Sequence, residues 1–346
     1  MDIPTLVKTY AAAVNVKYLA DMYGNLRQGS KLPDGIGAQN AAKTYLEQFT
    51  GSKVQSDIGG AGFIGILENS HGPTVLLRAV MYLAGESPQA DASGEMECSS
   101  AEQDELHVSC IQMTCMLFAA TSLWGMQSLW KGTLVILFQP SVNQGAGARA
   151  MIDDGLYDPT RHACPIPDVI LGQRVMPFSA GTVGTRSGAF GPGLDTYRVT
   201  VYGKGGHASQ PHMTTDPMAM AASVIVRLQN ITSKKLDLHD SAVVTVDSVV
   251  AGTMEDIIAD QAVLKLNIRY FDSSARTDAV NLMQITLQEV QQGWNASKEP
   301  LVELIRSLPP LINDSAVTQR ISASFDATFD EHHVKFCAPW GGNRRF

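Results

Sequence analysis

The chain has 346 residues, of which 45% are hydrophobic and 17% are charged, and its formal net charge is −8. This is the composition of a globular protein with enough length for about two domains. The acidic balance argues against binding to nucleic acids or anionic membranes, and no apolar run reaches the ~18 residues of a membrane span.

The N-terminus begins Met1-Asp2-Ile3-Pro4 and has neither the basic start nor the apolar core of a secretion signal. Five cysteines occur at irregular spacing, which is typical of a protein in a reducing compartment rather than of a disulfide framework. We therefore expect a cytoplasmic protein.

Short apolar runs bounded by Gly or Pro alternate with helical stretches in the first half of the chain. Such alternation is typical of a mostly parallel sheet covered by helices. The predicted elements are strands at 63–67, 74–80, 133–138 and 168–171, and helices at 107–124 and 147–154.

The pattern changes near Gly181, where alternating strands begin. Strands at 196–202, 241–250 and 262–270 and helices at 216–228 and 277–292, with one more strand expected, follow the order of a ferredoxin-like α+β sandwich. We predict an α/β domain of residues 1–183 and 296–346, with an inserted lid or dimerisation domain at 184–295.

Several motifs together resemble one known family. The most specific is Tyr202-Gly-Lys-Gly-Gly-His207-Ala-Ser, and others are Ile268-Arg269, Leu77-Arg78-Ala79 and Phe138-Gln139-Pro140. Over roughly residues 15–340 the chain resembles aminoacylase-type peptidases. These are zinc N-acyl amino acid amidohydrolases and include indoleacetyl-amino acid hydrolases and hippuricases. The resemblance implies a phosphorylase/hydrolase-like α/β domain and a homodimer formed through the lid.

The chain departs from the family at the positions of the zinc ligands. Aligned on the family's Cys-Gly-His-Asp-x-His motif, Glu102 replaces the Cys ligand and Asp104 the first His. The family's Glu-Glu pair, a general base and a ligand, becomes Val142-Asn143. The family's Gly-Leu-His segment ends in Arg174. The family's final His ligand would follow Phe346, so we expect a truncated C-terminus.

These replacements argue against the family's zinc chemistry. Zinc binds about four N, S or O ligands, and a guanidinium such as that of Arg174 is a permanent cation without a lone pair to offer. Val142 can neither accept nor donate a proton, so it cannot activate water. We therefore expect no metal and no other cofactor.

Other groups remain as candidates. Glu102, Asp104 and Glu105 form an acidic cluster that could pair with Arg174, serve in acid/base chemistry or simply be a solvated loop. The resemblance implies that His207 reaches the substrate carbonyl from the partner subunit, and that Arg269 binds the substrate carboxylate. Glu105, Asn143 and His107 complete the predicted substrate-binding set, although a structural role near a helix start is common for a residue such as His107.

Three functions stay open. The first is a metal-independent enzyme that performs cyclisation, isomerisation, elimination or condensation on a small amide- or amino-acid-derived substrate, in the manner of secondary metabolism. Its catalytic residues would be Glu102, Asp104, Arg174 and His207. The second is a non-catalytic pseudoenzyme that binds a ligand or an active relative. The third is a metal-dependent N-acyl amino acid amidohydrolase with unusual ligands.

Overall fold

A computed structural model describes residues 15–30, 36–49, 51–82, 100–141, 146–234 and 242–336. The chain forms two compact units, which divide between Ala180 and Gly181. Unit 1 contains the mixed α/β part and unit 2 contains an antiparallel sheet with two covering helices, which confirms the predicted fold class.

Unit 1 is built on a five-stranded sheet of order β1-β2-β4-β3-β5. Strand β4 pairs in parallel with β3, and β3 pairs in parallel with β5, whereas β1 and β2 run antiparallel to their neighbours. The strands are β1 (Lys53–Ile58), β2 (Gly62–Asn69), β3 (Thr74–Tyr82), β4 (Gly132–Ser141) and β5 (Val169–Gly172).

Helices cover this sheet and supply its largest core. The aromatic rings of Phe63 and Phe138 stack at its centre with centroids 4.4 Å apart, and neither side chain is exposed. Buried residues at helical spacing, such as Met22 and Leu26, face this core from the first helix. The helices are α1 (Val16–Ser30), α2 (Ile36–Glu47), α3 (Ser100–Gly125) and α4 (Gly147–Asp153).

The segment Asp104–Gly125 of α3 is long and apolar enough, by length and composition, to cross a membrane. Half of it is buried inside the protein. Cys110, Met113 and Leu117 are fully buried and recur at intervals of three and four residues, as on the inner face of a core helix. Packing in unit 1 therefore accounts for the apolar character of α3.

Unit 2 is built on a four-stranded antiparallel sheet of order β10-β12-β8-β13, which we call the lid sheet. Two helices cover one face of it, and every second residue of its inner strand β12 is buried beneath them. The elements are β8 (Gly193–Tyr202), β10 (Ala242–Ala251), β12 (Gln261–Tyr270), β13 (Leu301–Leu308), α5 (Pro217–Lys234) and α6 (Ser273–Gly293).

The fourth strand of the lid sheet lies beyond residue 295. Strand β13 pairs with β8 from Leu301 to Leu308, and the lid bounds 184–295 stay a prediction. The side chain of Asp195 fixes this arrangement from the helix-covered face: it is completely buried and accepts hydrogen bonds from Ser307 Oγ (2.7 Å) and Arg276 Nε (2.6 Å). A buried carboxylate must be paired, and here the pairing joins β8, β13 and α6.

Short strands and one further helix complete unit 2. Two small two-stranded sheets join the segment before the lid sheet to the segment after it, and a third holds the Gly-Gly-His turn. The elements are β6 (Val183–Thr185), β7 (Gly188–Gly191), β9 (Gly206–His207), β11 (Ile257–Ile258), β14 (Leu311–Asn313), α7 (Ser315–Phe329) and β15 (His333–Lys335).

Candidate functional site

The carboxyl ends of three parallel strands meet at one edge of the unit 1 sheet. In register, Val80 of β3 lies beside Gln139 of β4, and Arg78 lies beside Gly172 of β5. Ligand sites of open α/β sheets form at this edge, beyond the ends of the strands. The sequence positions that depart from the zinc family at 142–143 and 173–174 follow directly after β4 and β5.

Helix α3 is anchored to the same edge by Ser109. Its Oγ donates to the carbonyl oxygen of Val80 (2.8 Å) and accepts from the backbone N–H of Tyr82 (2.8 Å). Asp104 and Glu105 precede Ser109 by about one turn of helix, and both side chains are exposed. The structure therefore places two members of the predicted acidic cluster near the end of β3. Charged side chains are mostly exposed on protein surfaces whatever their role, so a structural role accounts for them as well.

A buried amide and a guanidinium organise the ends of β3 and β4. Arg78 Nε donates to Gln139 Oε1 (2.7 Å), and Gln139 is buried. Although part of the Arg78 side chain still reaches solvent, the surrounding protein atoms lower its pKa, and the guanidinium keeps its charge near neutral pH. Gly147 lets α4 start against this strand end, because a Cβ there would lie 1.9 Å from the carbonyl oxygen of Pro140.

The predicted pairing of Arg174 with the acidic cluster is not formed by the side chains that the structure describes. Arg174 is exposed and makes no ion pair with Asp104 or Glu105. The side chain of Glu102, in the first turn of α3, lies outside the described residues, and so do Val142 and Asn143.

The side chains at the strand ends differ from the ligands that zinc requires. Within the described ranges, no group of three or more His, Cys, Asp or Glu side chains gathers as a metal site would require. The groups at the strand ends are instead an amide, a guanidinium and two carboxylates on one helix. Because zinc needs about four N, S or O donors around one point, these side chains do not fit a zinc ion of the family's kind.

His107 lies on the side of α3 that faces α1. Its Nδ1 and the hydroxyl of Tyr23 are 2.5 Å apart, and the two rings meet edge to face. This contact joins two helices of unit 1, so the structure gives His107 a packing role.

In unit 2, glycines shape the turn that carries His207. A Cβ on Gly203 would lie 2.2 Å from the Thr215 carbonyl oxygen, and one on Gly205 would lie 2.5 Å from that of Ile258. Only glycine permits such close backbone approach. The backbone of His207 is then held by pairing with Ile257 across β9 and β11, while its side chain is exposed.

The contacts of His207 determine which ring nitrogen carries a proton. Its Nδ1 accepts a hydrogen bond from the backbone N–H of Ser209 (3.2 Å) and lies 2.8 Å from Ser209 Oγ. Since Nδ1 is the acceptor, the proton of the neutral ring is on Nε2. The imidazole therefore presents an N–H donor outward, which suits a carbonyl oxygen or an oxyanion.

Arg269 lies on β12, between Val243 of β10 and Leu194 of β8 in register. Its neighbour Ile268 is fully buried under the helices, so Arg269 lies on the opposite, open face of the lid sheet, where it is exposed. No described side chain forms an ion pair with it.

A polar chain that could not be predicted from the sequence lies at the end of unit 2. Thr185 Oγ1 and His333 Nε2 are 2.8 Å apart, and His333 Nδ1 is 2.8 Å from Asp326 Oδ1. Asp326 also accepts from Lys335 Nζ (2.7 Å), and the pKa of its carboxyl is lowered by hydrogen bonds from Lys335 and His333. Because the His333 side chain is completely buried, this chain joins β6, α7 and β15 as a structural link.

Comparisons with known proteins agree with this architecture. Residues 192–295 match a family model described as a peptidase dimerisation domain. The chain is 32% identical over 302 residues to a hippurate hydrolase from Campylobacter jejuni, which covers 84% of this chain and 73% of the relative. It is 30% identical over 260 residues to an N-acetyl-L-cysteine deacetylase from Bacillus subtilis, covering 74% of this chain and 59% of that protein.

A solved structure shows the same fold. The Bacillus subtilis YxeP protein, described as a dinuclear metal-binding peptidase, superposes with a TM-score of 0.66 at 20% identity and covers 94% of this chain and 84% of its own. At this identity the likeness concerns the fold alone.

Proposed function

Because the chain belongs to the aminoacylase and indoleacetyl-amino acid hydrolase family of peptidases, we propose that it acts on a small amide- or amino-acid-derived molecule without the family's zinc-activated water. The observation that carries the proposal is the set of side chains at the ends of β3, β4 and β5. Val80 and Arg174 lie there, and Asp104 and Glu105 lie in the second turn of α3. Neither Val80 nor Arg174 is a zinc ligand of the family's kind.

The proposed chemistry is proton transfer. Asp104 and Glu105 are exposed carboxylates that can accept a proton, and Arg174 can hold a developing negative charge by charge-assisted hydrogen bonds. The Nε2–H of His207 suits a substrate carbonyl, and Arg269 suits a substrate carboxylate. The reactions open to these groups are cyclisation, isomerisation, elimination and condensation, and we place them in secondary metabolism and in the cytoplasm.

Two alternatives have support of their own. Asp104 and Glu105 are exposed and form no ion pair with a described side chain, which suits a pseudoenzyme equally well, since a solvated helix surface needs no catalytic role. A metal-dependent amidohydrolase is supported by the names of the relatives, which include a hippurate hydrolase and a deacetylase.

We also propose a homodimer formed through the lid. The match to a peptidase dimerisation domain supports it. Strand β10 is an edge strand of the lid sheet, and Val243, Val249 and Val250 are 49%, 49% and 62% exposed on it. Unpaired edge strands with apolar side chains are stabilised by pairing with another chain.

The first experiment separates the metal-dependent alternative from the proposal. N-acetylcysteine and hippurate are incubated with the purified chain, with and without added zinc, cobalt or manganese, and bound zinc is measured by elemental analysis. We expect no stoichiometric zinc and no turnover, since loss of a general base costs ~10²–10⁴-fold in rate. Metal-stimulated hydrolysis at about 1 s⁻¹, or one zinc per chain that resists dialysis, would contradict the proposal.

The second experiment separates an enzyme from a pseudoenzyme. Once a substrate is found, Asp104→Asn and His207→Ala should each reduce kcat by at least about 100-fold, and chelators should not affect the rate. His212→Ala, in the same loop, and Asp153→Asn, on α4, are matched controls. Full activity in both test variants would place the chemistry elsewhere, and full ligand affinity without turnover in the wild-type chain would favour the pseudoenzyme.

A further inference from the structure

On the open face of the lid sheet, Arg269 and Arg306 lie on opposite sides of β8, and Arg198 and Lys265 lie further along the same face. Arg269 on β12 lies opposite Leu194 of β8, and Arg306 on β13 lies opposite Thr196 of β8. Opposed residues share a face of a sheet, as do residues two apart on one strand. Arg269 and Arg306 therefore extend from the same face, with β8 between them.

The sheet geometry sets the spacing of these two arginines. Their strands are two positions apart, so their backbones are roughly 10 Å apart across the sheet and offset by about 7 Å along it. Burial first, and then the positive charge of Arg269, lower the pKa of Arg306. The two guanidinium groups are thus near enough for their charges to interact.

Two carboxylates lie on this face, Asp247 on β10 and Glu303 on β13, but among the described residues neither forms an ion pair with Arg269 or Arg306. Arg306 Nε is buried and has no hydrogen-bond partner among the described residues. Asp247, the acidic residue of β10 on this face, accepts from Asn267 Nδ2, and Asn267 Oδ1 accepts from Thr196 (2.7 Å). A buried donor without a partner lowers stability and calls for an explanation.

We propose that Arg269 and Arg306 together bind a dicarboxylate, so that the ligand carries a second carboxylate beside the one held by Arg269. The inference rests on the proposed function, which assigns a substrate carboxylate to Arg269. One carboxylate is fully matched by one guanidinium fork, which leaves Arg306 for a second anion. Leu194 lies on β8 between the two arginines and offers an apolar surface to a short hydrocarbon link. A single phosphate has no such link and would not span the strand.

The test is binding of simple anions to the whole chain at constant ionic strength. Succinate and glutarate are titrated against propionate, butyrate and inorganic phosphate, and binding is followed by calorimetry and by the shift of the thermal midpoint. We expect the dicarboxylates to bind about tenfold or more tightly than monocarboxylates of similar length, as a charged hydrogen-bonding pair typically contributes.

Variants at Arg306 separate its contribution to dicarboxylate binding from that of Arg269. Arg306→Ala should lower dicarboxylate affinity about tenfold, to the level of the monocarboxylates, and leave monocarboxylate affinity within about twofold. The dicarboxylate affinity of Arg306→Lys should lie between those of the wild-type chain and Arg306→Ala, because lysine keeps the charge but lacks the planar guanidinium fork. Arg227→Ala is the matched control, since it removes the same charge from α5 on the helix-covered side of the sheet.

The outcomes separate this inference from the proposed function. If mono- and dicarboxylates bind equally and only Arg269→Ala weakens their binding, the dicarboxylate inference is wrong. The carboxylate site of the proposed function would then remain. No binding of either, with no effect of Arg269→Ala, would overturn both. Phosphate that binds more tightly than every dicarboxylate would show a single-anion site and overturn the inference.

Discussion

The two sheets of the molecule differ in how many of their faces are covered. In unit 1, six successive residues of β2, from Gly62 to Leu67, are buried, so both faces of that strand are covered. In unit 2, β12 alternates buried and more exposed residues along its whole length, so one face stays open. A sheet covered on both faces carries few polar groups away from its strand ends, whereas a sheet with an open face can carry them along its strands.

This difference explains where each unit carries its candidate groups. In unit 1 they follow the ends of strands, as Arg174 follows β5, and these positions can change without disturbing the buried strands. In unit 2 they lie on the open face, as Arg269 does, or in a glycine turn, as His207 does. The family's fold and its chemistry are therefore separable, because different residues maintain them.

The largest effect on stability is expected in the doubly covered sheet. Phe138→Ala should lower the free energy of unfolding by about 3–5 kcal/mol, because it removes a ring that stacks on Phe63 in a closed core. Val243→Ala, on the open face of the lid sheet, should cost less than about 1 kcal/mol. Urea unfolding measures both, and equal costs would show that the two sheets are not covered so differently.

A second prediction concerns the covered face of the lid sheet. Asp195→Ala should cost about 2–4 kcal/mol, because it leaves Arg276 and Ser307 without their buried partner. Ser307→Ala should cost about 1 kcal/mol. Arg227→Ala, which breaks an exposed ion pair with Glu289, is the control and should cost less than about 1 kcal/mol. An unchanged unfolding midpoint in Ser307→Ala would show that its hydrogen bond to Asp195 does not stabilise the pairing of β13 with β8.

The regular elements could be predicted because their hydrophobic period is clear. Strand β12 was predicted at 262–270 and is formed by Gln261–Tyr270, and α6 was predicted at 277–292 and is formed by Ser273–Gly293. Helices α1 and α2 were not predicted, although Met22 and Leu26, at an interval of four, carry the signal.

Long-range partners could not be predicted from local pattern. The pairing of β13 with a strand about 100 residues earlier does not follow from local pattern, because the exposure of β13 does not alternate regularly. The buried contact of His333 with Thr185 links positions 148 residues apart, and no local pattern indicates such a contact. The positions of Asp104 and Arg174 relative to the strand ends came from the family resemblance, and their lack of an ion pair came only from the structure.

A third prediction concerns the Asp154 carboxylate of unit 1, which accepts hydrogen bonds. It contrasts with the Arg306 guanidinium of unit 2, whose Nε has no partner among the described residues. The backbone N–H of Gly59, and then His162, hold the pKa of Asp154 below its usual value, with Arg161 contributing less. A lowered folded-state pKa stabilises the protein above the unfolded pKa of about 4, and this contribution is lost as pH falls through the folded-state pKa.

Asp154→Asn should therefore destabilise the protein at pH 7, and the difference from the wild-type chain should shrink as the pH falls from about 5 to 3. Thermal unfolding at several pH values measures it. Asp153→Asn, which removes an exposed partner of Arg149, is the matched control. A difference that persists unchanged at pH 3 would mean that the carboxylate charge is not what stabilises the turn before β2.

The smallest expected change in stability is a gain, and it concerns Arg306 on the open face of the lid sheet. Arg306→Met should stabilise the ligand-free chain by about 1 kcal/mol, because it removes a buried donor without a partner and a charge near Arg269. That gain corresponds to a thermal midpoint about 2–4 °C higher. Arg269→Met is the control with an exposed side chain and should shift the midpoint less. Succinate should then raise the midpoint of the wild-type chain more than that of Arg306→Met. If ligand-free Arg306→Met is less stable than the wild-type chain, packing of the Arg306 stem outweighs its missing hydrogen-bond partner. If the variant is more stable without ligand and succinate removes that difference, the wild-type chain keeps Arg306 for its ligand at a cost in stability.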